Sequence, residues 1–98
     1  MVTYQVDIKL LEDGIHNKFE NWLKKHVNEI LLIEGFVSAQ VLVPVEGSEG
    51  INFSVRYQLK NHQALENYFK NHAGQMREEG LKLFPEQFSA SRAVFQEI

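Results

Sequence analysis

The sequence predicts an α+β protein, with one four-stranded antiparallel sheet carrying two helices on one face. Three observations predict it. Apolar and polar residues alternate with a period of two in several short runs, and two longer runs repeat with helical period. The runs follow one another as strand, helix, strand, strand, helix, strand.

The first strand covers residues 2–11. Tyr4, Val6, Ile8 and Leu10 share one face, and Thr3, Gln5, Asp7 and Lys9 the other. Glu12-Asp13-Gly14 breaks it. Residues 15–34 form a helix whose inner stripe is Ile15, Phe19, Trp22, His26, Ile30 and Ile33, widened by Leu23. Gly35 stands where a helix-ending glycine is expected. Residues 36–45 and 51–59 are two strands around the Gly-rich run Glu46-Gly47-Ser48-Glu49-Gly50, which reads as a hairpin loop. Val37, Ala39, Val41, Val43 and Val45 are placed inward on the second strand; Ile51, Phe53, Val55, Tyr57 and Leu59 are placed inward on the third. Pro44 lacks an amide donor and suits an edge strand.

Asn61 is the expected N-cap of the second helix. Its inner stripe reads Leu65, Phe69, His72, Met76, Gly80 and Leu83, with a kink or break near Gly74 and an end at Pro85. Residues 87–97 are the last strand. Its parity is open, because Phe88, Ala90 and Val94 compete with Ala93 and Phe95 for the inner face. This order of elements is the split βαβ, ferredoxin-like pattern, with expected spatial strand order 4-1-3-2 in a single domain over residues 1–98.

Composition narrows the function classes. The 98 residues have no cysteine, which excludes disulfides, thiolate metal sites and thiol catalysis. Ten basic against 13 acidic residues leave a formal charge of -3. No large positive field exists to attract nucleic acid, and no nucleic-acid partner is expected. The longest apolar patch, Ile30-Leu31-Leu32-Ile33, is too short to span a bilayer. The start reads unlike a signal peptide, so a cytoplasmic protein without membrane contact is the expectation.

The sheet face away from the helices is expected to carry Thr3, Gln5, Asp7, Lys9, Phe36, Ser38, Gln40, Leu42, Asn52, Ser54, Arg56 and Gln58. Its central strands offer no aromatic on which RNA bases could stack. Two readings remain on the residues alone: a solvated face, or packing on a second copy. Asp7 and Arg56 are expected as cross-strand partners there, with Arg92 joining only if Ala93 and Phe95 point inward.

His26 and His72 are the most informative residues for function. Each interrupts an apolar stripe where leucine would be easier to bury. Each is either a hydrogen-bonded core histidine or a ligand-facing group able to move protons near neutral pH. Tyr4, Tyr57, Tyr68 and Trp22 are either ordinary aromatic core or the wall of a small-ligand pocket between sheet and helices. No metal site is expected. A catalytic zinc needs about three protein ligands, and no inward carboxylate or paired histidine on one helix is evident to supply them. No cofactor is expected either.

Five segments carry a resemblance: Tyr4-Gln5-Val6, Trp22-Leu23-Lys24-Lys25-His26, Val55-Arg56-Tyr57, Tyr68-Phe69 with His72-Ala73, and Phe88-Ser89-Ala90-Ser91-Arg92. Together they resemble a small uncharacterised bacterial domain family of unknown function, over essentially the whole chain. That family is similar in turn to the dimeric α+β barrel group. The resemblance implies a homodimer in which two ferredoxin-like sheets pack face to face, and it names no catalytic residue. Some oxygenases of the group combine an Asn, a Trp and a helical His. Here His72 lies on the second helix, but Trp22 lies on the first and the first strand has no Asn. Acylphosphatases share the length and element order, but the segment Leu11-Glu12-Asp13-Gly14 has no Arg for a phosphate.

The expectation is therefore a homodimer that binds a small organic ligand between sheet and helices. A cofactor-free oxygenase or isomerase and a partner-binding module without catalysis are the alternatives.

Overall fold

In the computed structural model, which describes residues 1–47 and 49–98, four strands form one antiparallel sheet in the order β2-β3-β1-β4. The elements are β1 (Val2–Leu10), α1 (His16–Leu31), β2 (Phe36–Leu42), β3 (Phe53–Leu59), α2 (His62–Asn71), α3 (Ala73–Leu83) and β4 (Phe88–Gln96). The order equals the expected 4-1-3-2 read from the other edge. Among the described residues there are three helices rather than two.

The alternation in β1 and β3 places the core. Val2, Tyr4 and Ile8 oppose Leu59, Tyr57 and Phe53 in register, and all six are buried. The helices cover that face with Phe19, Leu23, Val27 and Ile30 from α1, Leu65 and Tyr68 from α2, and Ala73 and Gly80 from α3. Val27 belongs to the buried set, although it stood outside the expected stripe. Asn61 caps α2 as anticipated: its side chain accepts from the Ala64 amide at 2.9 Å. That satisfies one of the helix's orphan donors. α1 closes earlier than expected, on Leu32, and Gly35 follows three residues later with φ 96. A side chain there would also run into Ala64 of α2, so the turn requires glycine.

Three expectations about facing are corrected. In β2 the register shifts between Phe36 and Ser38. The irregularity turns Phe36 inward, edge-on against Tyr57 and Tyr68 at 5.5 and 5.1 Å, and leaves Val37 exposed. Strand pairing stops at Leu42, so Val43 and Val45 are exposed rather than inward. Gly47 and Gly50 take positive φ, as turn glycines do; Ser48 of the expected hairpin loop lies outside the described residues.

The second helical segment breaks at His72, two residues before Gly74, with φ -131 and ψ -33. The break inserts one residue into the period. The inner stripe runs Leu65, Tyr68, Ala73, Met76, Gly80 and then Phe84. His72 is skipped and exposed, and Phe69 and Leu83 are exposed as well. In β4, Phe88, Ala90, Arg92 and Val94 lie opposite Leu10, Ile8, Val6 and Tyr4, which sets the open parity. Arg92 therefore faces the helix side, and Ala93 and Phe95 face the open side.

Candidate functional site

Sheet and helices do not close completely. Between β1, β3 and β4 on one side and α1 and α3 on the other lies a cavity of about 330 Å³, at the small end of ordinary ligand sites. All three tyrosines and the only tryptophan of the chain line it. The strands place Tyr4 and Tyr57 directly opposite each other, their rings stacked at 5.8 Å. Tyr68 reaches the same space from α2, 6.0 Å from Tyr4.

On α1, Trp22 and His26 are four residues apart and so share a face. Their rings stack at 4.6 Å, 23° from parallel. Gly80 on α3 makes room for Trp22: a Cβ there would stand 2.9 Å from the indole. A larger residue would have to displace the ring.

Five of the six expected ligand-facing residues thus meet around one space: His26, Trp22, Tyr4, Tyr57 and Tyr68. His72 does not. It borders a separate polar surface groove with Lys60, Asn61, Asn67 and Asn71. The phase slip at the helix break turns it away.

His26 is the unusual group. Its side chain is 11% exposed, and its Nδ1 is fully buried without a hydrogen-bond partner among the described residues. Glu79 Oε2 stands 3.6 Å from it, beyond hydrogen-bond reach. Desolvation holds the imidazole below its ordinary value near 6.5, against the opposing pull of Glu79 and Glu29. At neutral pH the ring is accordingly neutral.

The expectation that no carboxylate approaches the site is corrected here. Ligand atoms of His26, Glu29 and Glu79 all lie within 4.8 Å of one another, and these are the residues that could offer three donors to one ion. Glu79 was invisible to the sequence reading because it lies on another helix.

Reasoning from sequence also missed Arg77 and Arg92, which line the cavity and are exposed at its border. Arg77 lies over Phe69, 5.9 Å from the ring centre, and its Nη2 makes a long contact of 3.4 Å to the Tyr4 hydroxyl. Burial raises the Tyr57 hydroxyl well above its ordinary value and Tyr68 to about 12, with the arginines pulling the other way. Both phenols are therefore neutral donors at physiological pH.

The open face of the sheet is polar in its centre. Asp7 accepts from Ser54 Oγ at 2.7 Å and from Gln5 Nε2 at 3.2 Å, and Arg56 Nε donates to Gln5 Oε1 at 3.1 Å. Gln5 thus stands between Asp7 and Arg56, which were expected to pair directly. Arg92 is absent from this group because it faces the cavity. No helix among the described residues is long and apolar enough to cross a membrane.

Comparison with known proteins agrees with this architecture. Residues 1–98 match a family described as Domain of unknown function (DUF4286), and the chain belongs to that family. No curated protein matches the sequence. Among solved structures, the chain is similar to SnoaB, a cofactor-independent oxygenase from Streptomyces nogalater. Identity is 13% and the TM-score 0.75, over 99% of this chain and 92% of that one. It is similar to a mutant of MhuD with two manganese protoporphyrin IX molecules bound per active site, at 20% identity and TM-score 0.77, over 100% and 95% of the two chains. It is also similar to a dimeric, ferredoxin-like protein of unknown function from Bacteroides fragilis, at 17% identity and TM-score 0.73, over 98% and 95%. At these identities the likeness establishes the ferredoxin-like fold.

Proposed function

We propose that the protein binds a small organic molecule in the cavity between its sheet and its helices. The observation that carries this reading is the convergence of all three tyrosines, Trp22 and His26 on one space. An ordinary core would fill that space and pair the histidine's polar atoms. Here a cavity remains, and His26 Nδ1 has no hydrogen-bond partner among the described residues. Apolar walls supply the driving force for a flat ligand, while hydroxyls and ring nitrogen orient it.

The reading includes a homodimer formed through the open sheet face. Its support is the description of one similar structure as dimeric and the presence of Phe95 and Leu42 on a sheet face that no helix covers.

A second reading is favoured by His26 alone. A neutral buried imidazole beside a ligand is a general base: the carbanion left by proton abstraction would be reprotonated at another position in an isomerase, or would react with dioxygen as co-substrate in an oxygenase of the cofactor-free kind. A likeness in fold to a cofactor-independent oxygenase is consistent with it.

Native mass spectrometry of the purified protein, followed by identification of released small molecules, tests the binding reading. Retention of a flat organic molecule that quenches Trp22 emission is the expected result. A protein that retains nothing, and whose Trp22 emission answers no member of a library of aromatic compounds, would overturn it.

A further inference from the structure

We propose that the cavity's ligand is an aromatic acid, its carboxylate held by Arg77 and Arg92. The inference rests on the cavity being a ligand site and adds the ligand's chemical class.

Charge distribution carries it. The chain has 13 acidic residues, yet among the described residues none lines the cavity; it has three arginines, and two of them do. They come from different elements. Arg77 projects from α3, and Arg92 from β4 opposite Val6. Neither forms an ion pair among the described residues, where the three pairs are Lys24–Glu20, His26–Glu79 and Lys82–Glu78. Two unpaired guanidinium groups bordering one apolar space make a fork for an anion, and carboxylate is the planar anion that guanidinium binds in bidentate fashion.

The neighbours agree in sign. Arg77 and Glu79 are two residues apart on α3, and at about 100° per residue they leave the helix in nearly opposite directions. Arg77 leans to Tyr4 of β1, and Glu79 to His26 of α1. The acidic group thus stays on the histidine side, away from the arginines. Tyr57 and Tyr68 keep their protons, so both present donors rather than competing anions. The ligand's body meets Trp22 and the tyrosine rings, whose faces suit a flat ring better than a flexible chain.

Isothermal titration calorimetry with naphthoate and its neutral counterpart naphthylmethanol tests the assignment. The intact chain is compared with Arg77→Met, Arg92→Met and, as a control on the open sheet face, Arg56→Met; near-UV circular dichroism confirms that each is folded. Methionine keeps the length of the aliphatic stem and removes the charge. Naphthoate is expected to bind roughly tenfold or more tightly than the alcohol, because a hydrogen bond to a charged group outweighs one to a neutral group. Arg77→Met and Arg92→Met should each lose most of that preference, and Arg56→Met should keep it. Equal binding of the two probes, or a preference that survives both cavity substitutions, overturns the acid assignment while leaving the cavity reading intact. Failure of both probes to bind the folded intact chain overturns the two together.

Discussion

The two faces of the sheet are built from alternate residues of the same four strands, and they solve opposite problems. The covered face stacks rings: Tyr4 on Tyr57, and Phe19 against Phe53, Phe84 and Phe88. The open face links side chains by hydrogen bonds: Thr3 with Gln58, Asp7 with Ser54, and Arg56 with Gln5. Among the described residues, no buried side-chain polar atom of that face lacks a partner, so that face needs no function to explain it. The covered face contains the anomaly, a buried imidazole nitrogen with no partner beside a cavity. Polar residues are cheap where water reaches them and costly where it does not. An unpaired polar atom is therefore informative only on the covered side.

The largest expected effect compares two phenylalanines. Phe19 is wholly buried, and Phe19→Ala should cost about 3–5 kcal/mol in chemical denaturation. Phe95 is 52% exposed on the open face, and Phe95→Ala should change monomer stability by less than about 0.5 kcal/mol. If two copies pack through the open face, Phe95→Asp should shift the mass seen by light scattering to that of a monomer. A monomeric unsubstituted protein at micromolar concentration removes the dimer from the proposal.

Asp7 sharpens the same contrast. In a solvated network Asp7→Ala should cost about 1 kcal/mol or less, since water replaces the lost partners of Gln5 and Ser54. In a face buried between two copies, stranding the polar partners raises the cost toward about 3–5 kcal/mol. A double-mutant cycle with Arg56→Ala should show only weak coupling, because Gln5 lies between the two. Strong coupling would mean that the side chains pair directly in solution.

A third test crosses from core to cavity. Gly80→Ala should cost about 1–3 kcal/mol through overpacking against Trp22. Because Trp22 is the sole tryptophan, its emission maximum should move in the same variant. Unchanged emission would show that the indole does not depend on the gap above Gly80.

The smallest effect is on pH dependence. His26 is held below 6.5 in the fold, so the unfolded chain binds more protons as pH falls below that value. Stability should therefore decline from about pH 6.5 downward, and His26→Gln should flatten that part of the profile. The tyrosines act at the other end. Tyr68 is raised to about 12, so its contribution is intact below pH 10 and lost as pH rises from there toward 12. Thermal melts across both ranges, with and without His26→Gln, read the two limbs separately.

Local pattern was enough where one element answered to one period. The alternation of β1 and β3, the Asn61 cap and the strand order were all legible, because each depends on sequence neighbours or on the few topologies that join such elements. So was the company of Tyr4, Tyr57, Tyr68, Trp22 and His26. His72 was misread because the helix breaks at that residue: its backbone leaves helical geometry, and the inner positions on either side fall on Tyr68 and Ala73 instead. Phe36 was misread for the equivalent reason, since a one-residue irregularity in a strand exchanges its faces.

By itself, then, the sequence determined a ferredoxin-like sheet with an aromatic inner face, an acidic chain without thiol chemistry, and no residue set diagnostic of one reaction. The tertiary structure decided which parity of β4 looks inward. Apolar residues stand at both parities there, so only pairing with β1 could place Arg92 in the cavity and Phe95 outside it. It also decided that Glu79 meets His26 across two helices and that Arg77 meets Tyr4 across 73 positions of sequence. Such meetings follow from packing between elements, which no local periodicity encodes.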